Sequence, residues 1–363
     1  MYDALARLGK VNVVILEPAS KIAAERMTQF PERVVRASAI DRLSHARFAP
    51  DPKLSAAVEQ ALGLPLDAHR AVVGRNLWAT TQIVVPSKVP LIGDLDDFHY
   101  RYSSDASVAP KVLLERLRKA LSFRLARRQL PRMKGVFFAT ARDREENPEV
   151  ESAVLPNIAY RIPETVRVDP IGERLLFVGS LWYRPNREAL DWFVNNVWPR
   201  IRRSHPKAEL KIVGAASEEV RRRWTRHCNV SAPGFAKDLS AEYAAASLVI
   251  VPIQSGGGTN IKTLEALAYA RPCVVSAFCH QAFSDTLRDG QHLLVAAGVE
   301  QFAAQCVRAL EDPQLCERIG RAGRAAVCNA YSTASFGAIA TDFVERICAK
   351  GPEERTTRVS ITG

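Results

Sequence analysis

Nowhere does the 363-residue chain carry the run of about 18 uncharged apolar residues that a membrane-crossing helix needs. It has no Cys-x-x-Cys pair. Its seven cysteines, Cys228, Cys273, Cys279, Cys306, Cys316, Cys328 and Cys348, all fall in the second half at irregular spacing. An odd, scattered set fits reduced thiols in a cytosolic protein and argues against a disulfide framework or a zinc ribbon. No two of the seven histidines stand at metal-ligand spacing, so no metal site is expected. The first ten residues contain Asp3 and Arg7 and no small-residue cleavage site, and do not read as a secretory signal. What is present is 47% hydrophobic and 25% charged, a soluble globular composition that excludes collagen-like and wholly disordered chains. At roughly 150 residues per domain the length implies about two domains. Fifty Lys+Arg against 39 Asp+Glu leave a formal net charge of +11, compatible with nucleic acid, a membrane surface or a polyanionic substrate.

Short apolar runs alternate with helix-period segments, the pattern of β-α repeats around parallel sheets. In the first half, residues 11–16, 33–37, 71–73, 90–94 and 135–139 read as strands, with helices over 52–62 and 112–130. Residues 156–172, punctuated by Pro156, Pro163 and Pro170, lack periodicity and read as a linker. Strands then recur at 174–178, 209–213, 248–252, 273–276 and 293–295. Helices are expected at 187–203, 216–227, 239–246, 259–270, 299–310, 313–330 and 333–349. The expected fold is α/β: two Rossmann-like doubly wound domains, residues 1–160 and 161–349, facing a cleft, with the last helix packing back on the first domain. Residues 350–363 are polar and patternless, a disordered tail. Such sheets bind ligands beyond the carboxyl ends of their strands, so function is sought there.

The sharpest local signal is Ser255-Gly256-Gly257-Gly258-Thr259-Asn260-Ile261-Lys262-Thr263-Leu264-Glu265, between an apolar strand and a helix that runs to Arg271-Pro272. Glycines before a helix N-terminus let a phosphate approach backbone N–H groups and the positive end of the helix dipole. Thr259 suits a cap or a phosphate donor. Lys262 lies one turn in, and Glu265 follows on the same face. A nucleotide diphosphate at the glycines and a ribose held by Glu265 would fit; so would an ordinary tight turn with Glu265 bonded to a backbone amide. The loop matches neither Walker A nor Gly-x-Gly-x-x-Gly. A second element, Gly179-Ser180-Leu181-Trp182-Tyr183-Arg184-Pro185-Asn186-Arg187, ends a strand and carries Arg184 to an expected Asn186 N-cap, with Arg187 opening the helix. Guanidinium groups at a sheet mouth suit phosphate oxygens, although a single arginine there is commonly just solvated.

The series Leu175-Leu176-Phe177-Val178-Gly179-Ser180, Ile212-Val213-Gly214, Pro233-Gly234-Phe235-Ala236-Lys237 and Gly256-Gly257-Gly258-Thr259 through Glu265 resembles the donor domain of group 1, family 4-like, GT-B glycosyltransferases, over about residues 156–349. The first half matches more loosely, through Gly93-Asp94-Leu95-Asp96-Asp97-Phe98 and Leu155-Pro156-Asn157-Ile158. The resemblance implies a retaining, metal-independent transferase without a cofactor, whose donor is a nucleotide-diphosphate sugar. The base would lie near Gly214 and Pro233 to Lys237, the ribose on Glu265, and the diphosphate and sugar beside Thr259 and Lys262. Positive side chains and a helix dipole would stabilise the leaving diphosphate.

Three features depart from that pattern. Gly257 stands eight positions before Glu265, where many members carry an acid that meets the transferred sugar. Ser180 follows Gly179, so the usual Arg and Lys phosphate pair is out of register, and Arg184 and Arg187 are the substitutes. Residues 1–8 read as the end of a first helix and 11–16 as a second strand, so the first domain lacks its first strand and glycine loop. An upstream start is the favoured explanation over a non-catalytic relative.

Asp94, Asp96 and Asp97 sit at a first-domain strand end, away in sequence from every donor motif, and are not read as a metal-binding Asp-x-Asp. Asp94 or Asp97 could bind or deprotonate an acceptor hydroxyl, with His99 a neighbouring candidate; a capped turn with solvated carboxylates is the plainer reading. The segment 112–130 carries Leu114, Leu117, Leu121 and Leu125 on one face and Arg116, Arg118, Lys119, Arg124, Arg127 and Arg128 elsewhere. It suits either a core-facing helix with a solvated basic face or a peripheral contact with an anionic membrane. The Arg221–Arg226 stretch reads as a solvated face, and Trp192 and Trp198 as core. No stacking pattern for nucleic acid is present. The reading is a cytoplasmic glycosyltransferase, with a peripheral place on the inner membrane face as the extension that the basic segment 112–130 suggests, acting on a saccharide or lipid-linked acceptor of a bacterial surface polysaccharide. A silent scaffold of the same fold, or a nucleotide-sugar epimerase or hydrolase, are the alternatives.

Overall fold

The computed structural model describes residues 1–18, 33–37, 50–96, 98–99, 101–102, 110–257 and 259–350. Asp97, Gly258 and residues 351–363 of the expected tail lie outside these described residues. The chain forms two compact units. One comprises Met1–His99, Val108–Pro156 and Phe336–Gly363, the other Tyr100–Ser107 and Asn157–Ser335.

The first unit begins with α1 (Tyr2–Leu5) and a parallel strand pair, β1 (Val14–Pro18) and β2 (Arg33–Ala37). Helix α2 (Pro52–Leu62) starts at Asp51, whose carboxylate accepts from the N–H groups of Lys53 and Leu54, and stops at Gly63 in the left-handed region, φ 65°. There follow β3 (Val72–Arg75), α3 (Leu77–Gln82) and β4 (Leu91–Leu95). The chain then passes to the second unit for β5 (Arg101–Tyr102) and returns for α4 (Pro110–Arg127), β6 (Gly135–Phe138), α5 (Ala141–Glu145) and β7 (Ser152–Val154).

Strands β3, β4, β6 and β7 make an all-parallel sheet in that order. Both central strands are buried along their length, as parallel strands covered on both faces should be. On one face Ile92 and Phe137 pack with Ala340, Phe343, Val344 and Ile347 of the last helix. Gly135 permits that approach, because a Cβ there would lie 2.9 Å from both Phe343 and Ile347. On the other face Leu91, Val136 and Phe138 meet Ala126 and Leu130, with Phe123 against the same cluster. Phe123 and Ala126 are therefore the inward residues of α4. Leu117 and Leu121 point outward, 61% and 59% exposed, which corrects the core-facing reading for these two residues of the stripe; Leu125 is half-buried, and the Leu114 side chain lies outside the described residues.

Strand β3 is marginal. The Val72 N–H donates to the Pro90 carbonyl at 3.0 Å and the Asn76 N–H to the Asp94 carbonyl at 2.8 Å, so alternate residues turn their peptide groups toward β4. Ala71, Val73 and Arg75 turn theirs the other way and line a cavity of about 580 Å³, together with Val11, Val13, Val14, Leu5 and Val344. Among the described residues no strand pairs with that edge.

The second unit alternates strictly. In order come β8 (Arg174–Val178), α6 (Arg184–Trp192), which runs through a π-turn at Phe193–Val197 into α7 (Trp198–Ser204), β9 (Glu209–Val213), α8 (Glu218–Thr225), β10 (Val230–Gly234) and α9 (Leu239–Ala245). Next are β11 (Leu248–Val251), β12 (Ser255–Gly256), α10 (Ile261–Ala268), β13 (Cys273–Ser276), α11 (Ala277–His280), β14 (Leu294–Ala296), α12 (Gly298–Glu311), α13 (Pro313–Ala330) and α14 (Thr333–Ala349). The six-stranded sheet runs β10-β9-β8-β11-β13-β14, all parallel, so its strand order reverses between β8 and β11. That reversal opens the crevice in which doubly wound sheets hold ligands. Trp198 and Trp224 are fully buried, and the Trp192 ring meets Phe302 edge-on at 5.8 Å.

Compared with the expected 1–160 and 161–349, β5 belongs with the second unit because it pairs there with β12, and most of α14 belongs with the first because its apolar face covers that sheet. Two helix starts also shift. Tyr183, not Asn186, occupies the N-cap of α6, since Pro185 is already helical, and α10 opens at Ile261 after Asn260 rather than at Thr259.

Candidate functional site

The loops after β8, β9, β10 and β11 converge at the carboxyl end of the second sheet. The Gly179 N–H donates to the Val213 carbonyl at 3.0 Å, and the Gly214 N–H to the Gly234 carbonyl at 2.8 Å, so three expected donor-site glycines are tied in series. A Cβ on Gly179 would lie 3.2 Å from Cε of Lys262: the lysine stem lies over the first loop. Gly234 adopts φ +97° and Gly256 φ +144°, conformations that favour glycine.

Helix α10 leaves its first N–H groups without intrahelical acceptors and aims its positive end at this crevice. Two hydroxyls accompany it. Among the described residues, Thr259 Oγ1 and Thr263 Oγ1 are buried with no hydrogen-bond partner, on residues that are 8% and 0% exposed. A buried hydroxyl left unpaired is costly, and an anionic ligand accepting from it would remove that cost. Lys262 Nζ lies 3.4 Å from Asn260 Oδ1, and burial lowers its pKa below the ordinary lysine value, against a partial counter-effect from the Cys279 and Glu265 sites. Gly257, where many relatives of this pattern carry an acid, is partly exposed in the same turn.

Glu265 is half-buried on the next turn. Its carboxyl is pushed above the usual range by burial, while a hydrogen bond from the Tyr243 hydroxyl to Oε2 at 3.5 Å and the charge of Lys262 pull it back. Tyr243 is fully buried and stacked on Tyr269, centroids 4.6 Å apart, and the Tyr269 hydroxyl meets Ser240 Oγ at 3.0 Å. Helix α9 thus fixes the carboxylate from behind. This support and Thr263 escaped the sequence reading, because Tyr243 sits in an unremarkable helix and a threonine inside a helix carries no signal of its own.

The proposed arginine substitutes are differently engaged. Arg184 Nε donates to Glu188 Oε1 at 2.7 Å one turn along, and an Arg187 amino group caps the carbonyls of Leu181 and Trp182 at 3.0 and 2.7 Å. The i,i+4 pairing and the turn carbonyls hold them for the start of α6. Asn186 Nδ2 closes the same turn on the Ser180 carbonyl at 2.7 Å. At the β10 end, Arg221 binds the carbonyls of Ala232 and Pro233, both at 3.1 Å, and leaves the ring of Phe235 78% exposed beside Gly234.

In the first unit, Asp94 is buried at the end of β4, with Oδ2 4.0 Å from Arg75 Nε. Burial and the neighbouring Asp96 push its carboxyl up to about 6, with Arg75 opposing. His99 belongs to a separate cluster: its ring stacks on Phe123 at 3.8 Å, and Nδ1 lies 3.2 Å from Glu146 Oε2. With Asp143, these two are the group among the described residues whose atoms lie close enough, within 4.8 Å, to suggest a metal. Asp143 already accepts from Thr140 Oγ1 at 2.6 Å, and Glu146 from Arg142 at 2.8 Å, so the set is held as a hydrogen-bonded cluster.

Residues 172–312 match the sequence model of the family described as glycosyl transferases, group 1. An uncharacterized 44.6 kDa protein in the cps region of Klebsiella pneumoniae is 30% identical over 101 residues, 26% of this chain and 26% of that one, so the aligned stretch spans about a quarter of the relative's length. Among solved structures, a sucrose-phosphate synthase from Thermosynechococcus elongatus aligns with TM-score 0.66 at 14% identity, over 95% of this chain and 90% of that one. Anabaena Alr3699/HepE, in complex with UDP and glucose, aligns with TM-score 0.64 at 14% identity, over 92% and 91%. Residues 172–312 accordingly form a group 1 glycosyltransferase domain, within a chain that has the GT-B fold.

Proposed function

We propose that the chain transfers a sugar from a nucleotide-diphosphate sugar to a saccharide or lipid-linked acceptor, with retention of configuration and without a metal. The observation that carries this reading is the unpaired, buried Thr259 hydroxyl between the glycine turn and the N-terminus of α10, with the Lys262 stem over Gly179. The diphosphate would accept from the free N–H groups of α10 and from the Thr259 hydroxyl, while Lys262 supplies positive charge as the glycosidic bond to phosphate breaks. Glu265, ionised, would accept from both ribose hydroxyls. Phe235 offers its open ring to the base, which fits its place one residue after Gly234. The bound complex of HepE with UDP and glucose supports a sugar nucleotide as the kind of donor such a fold accepts. On the acceptor side, Asp94 with its raised pKa suits proton transfer near neutral pH, and His99, oriented by Glu146, is the second candidate.

Calorimetric titration with UDP and GDP tests the donor site, and release of the nucleotide from its sugar with and without acceptor saccharides separates a transferase from a hydrolase or a silent scaffold. Binding of neither nucleotide defeats the proposal.

A peripheral membrane contact through residues 112–130 belongs to the same proposal. No helix among the described residues is long and apolar enough to cross a membrane. Helix α4 nonetheless exposes Leu117 and Leu121 amid exposed Arg118, Arg124 and Arg128, a combination that suits an anionic bilayer carrying a lipid-linked acceptor.

A further inference from the structure

Strand β10 does not keep its register with β9 to the end. Val230 and Ser231 pair with Leu210 and Lys211, yet the next pair is Gly234 with Val213, so β10 carries one residue more than β9 across Ala232 and Pro233. Such a bulge turns backbone groups out of the ladder, where they need other partners. Arg221, one turn into α8, supplies them: Nη1 donates to the Ala232 and Pro233 carbonyls at 3.1 Å each. The same guanidinium runs along Gly234, where a Cβ would lie 3.6 Å from Nη1 and 3.7 Å from Cζ. The next residue is Phe235, with its open ring. One side of the guanidinium is therefore committed and the other is not. Among the described residues Nε is buried without a hydrogen-bond partner, Nη2 makes no bond, and no carboxylate pairs with Arg221.

We infer that Arg221 reads the base of the donor nucleotide: through Nη2 and Nε it donates to the exocyclic carbonyl oxygen of a nucleobase stacked on Phe235, at position 4 of uracil or position 6 of guanine. The inference rests on the donor-site reading above and adds to it the class of base. In guanine the neighbouring N7 is a second acceptor for the same fork. Cytosine and adenine carry an amino group at those positions, so a donor would face a donor and both would stay unpaired. A charged donor shielded from water and left without a partner gains most from a new acceptor. The two carbonyl bonds also fix the guanidinium before the base arrives, so little side-chain freedom is lost on binding. The bulge thus has two effects. It re-aims the chain at the left-handed Gly234, φ +97°, so that Phe235 faces outward, and it holds the fork beside that ring.

Calorimetric titration of the full chain with UDP, CDP, GDP and ADP, as wild type, Arg221→Ala, Arg221→Lys and Phe235→Leu, tests the inference. The wild type should bind UDP at least about tenfold tighter than CDP, or GDP tighter than ADP by the same margin, as a charge-assisted hydrogen bond set against an unpaired donor requires. Arg221→Ala should bring the two members of that pair within about threefold, mainly by weakening the carbonyl-bearing one, with Arg221→Lys in between. Phe235→Leu should weaken both members alike and keep their ratio. Nucleotide binding without such a preference in the wild type, or with the preference unchanged in Arg221→Ala and Arg221→Lys, overturns the inference and leaves the donor site standing. Equal losses for both members in Arg221→Ala also overturn it, because they mark the arginine as a brace for the bulge alone. If the wild type binds none of the four, the donor-site reading fails and this inference with it.

Discussion

Gly214 sits so close to Gly179 that a Cβ at position 214 would lie 1.8 Å from the Gly179 carbonyl oxygen. Backbone cannot yield as a flexible side chain can, so Gly214→Ala must push apart the loops after β8 and β9. Overpacking of this kind costs about 1–3 kcal/mol or more. Chemical denaturation should show that loss, and nucleotide titration a loss of binding. Gly290→Ala is the contrast: φ is +70° but no atom of the described residues lies within 4 Å of its Cβ, so only the backbone cost of about 1 kcal/mol is expected, with binding intact.

Glu265→Ala should weaken nucleotide binding by about 1–3 kcal/mol through loss of charge-assisted hydrogen bonds to the ribose. Burial raises the pKa of this carboxyl, and the binding form is the ionised one. Affinity should therefore be full at alkaline pH and fall as pH drops through the raised pKa, earlier than for an exposed glutamate. Tyr243→Phe removes a hydrogen bond that favours the carboxylate, so the fall should begin at still higher pH. Titrations across pH 4–8 read both effects, and a pH-independent affinity would remove Glu265 from the ribose.

Asp94 gives an opposite sign for stability. Its carboxyl rises from 3.8 to about 6 on folding, so between those values the folded chain holds more protons than the unfolded one, and stability drops as pH rises. At pH 8 the buried charge costs the fold on the order of 2–3 kcal/mol, from about 1.4 kcal/mol per pKa unit. Asp94→Asn should raise the thermal midpoint at pH 8 and leave it nearly unchanged at pH 4. If Asp94 serves the acceptor hydroxyl, the same variant should lose turnover with donor affinity retained.

Leu117→Ser with Leu121→Ser should leave thermal stability almost unaltered, since both side chains are already largely in water. Co-sedimentation with phosphatidylglycerol vesicles should fall several-fold in this variant, and with neutral phosphatidylcholine vesicles the wild type should bind weakly. Equal sedimentation of variant and wild type would leave α4 without a membrane role.

The second unit was legible because its signals are local. Apolar strands such as Leu248–Val251 end in glycine turns, and Pro185 and Pro272 punctuate helix limits, so the alternation could be expected from the chain itself, whereas a common site for Gly179, Gly214 and Lys262 was implied only by the family resemblance. The place of Arg101 could not be expected, because nothing in residues 100–107 announces a partner more than 150 positions away; only the pairing with Ser255 and Gly256 brings it to the glycine turn. The arginines of α6 misled for a related reason. Charge type suggests phosphate, but whether a guanidinium faces a ligand or Glu188 depends on a rotamer that composition does not encode. The Leu117 and Leu121 stripe has the period of a buried face, yet Phe123 and Ala126, displaced around the helix, have the larger claim on the sheet.

Among the described residues the outward peptide groups of Ala71, Val73 and Arg75 meet no neighbouring strand, and wherever that margin stays open it makes the first unit adhesive. A parallel neighbour laid there would gain a ladder of main-chain bonds and fill the hollow with its own apolar residues, and any extended polypeptide of suitable pattern can supply it. Concentrated solutions of the chain should therefore be prone to clumping through this rim, and a short valine-rich peptide that occupies it should keep the molecules apart.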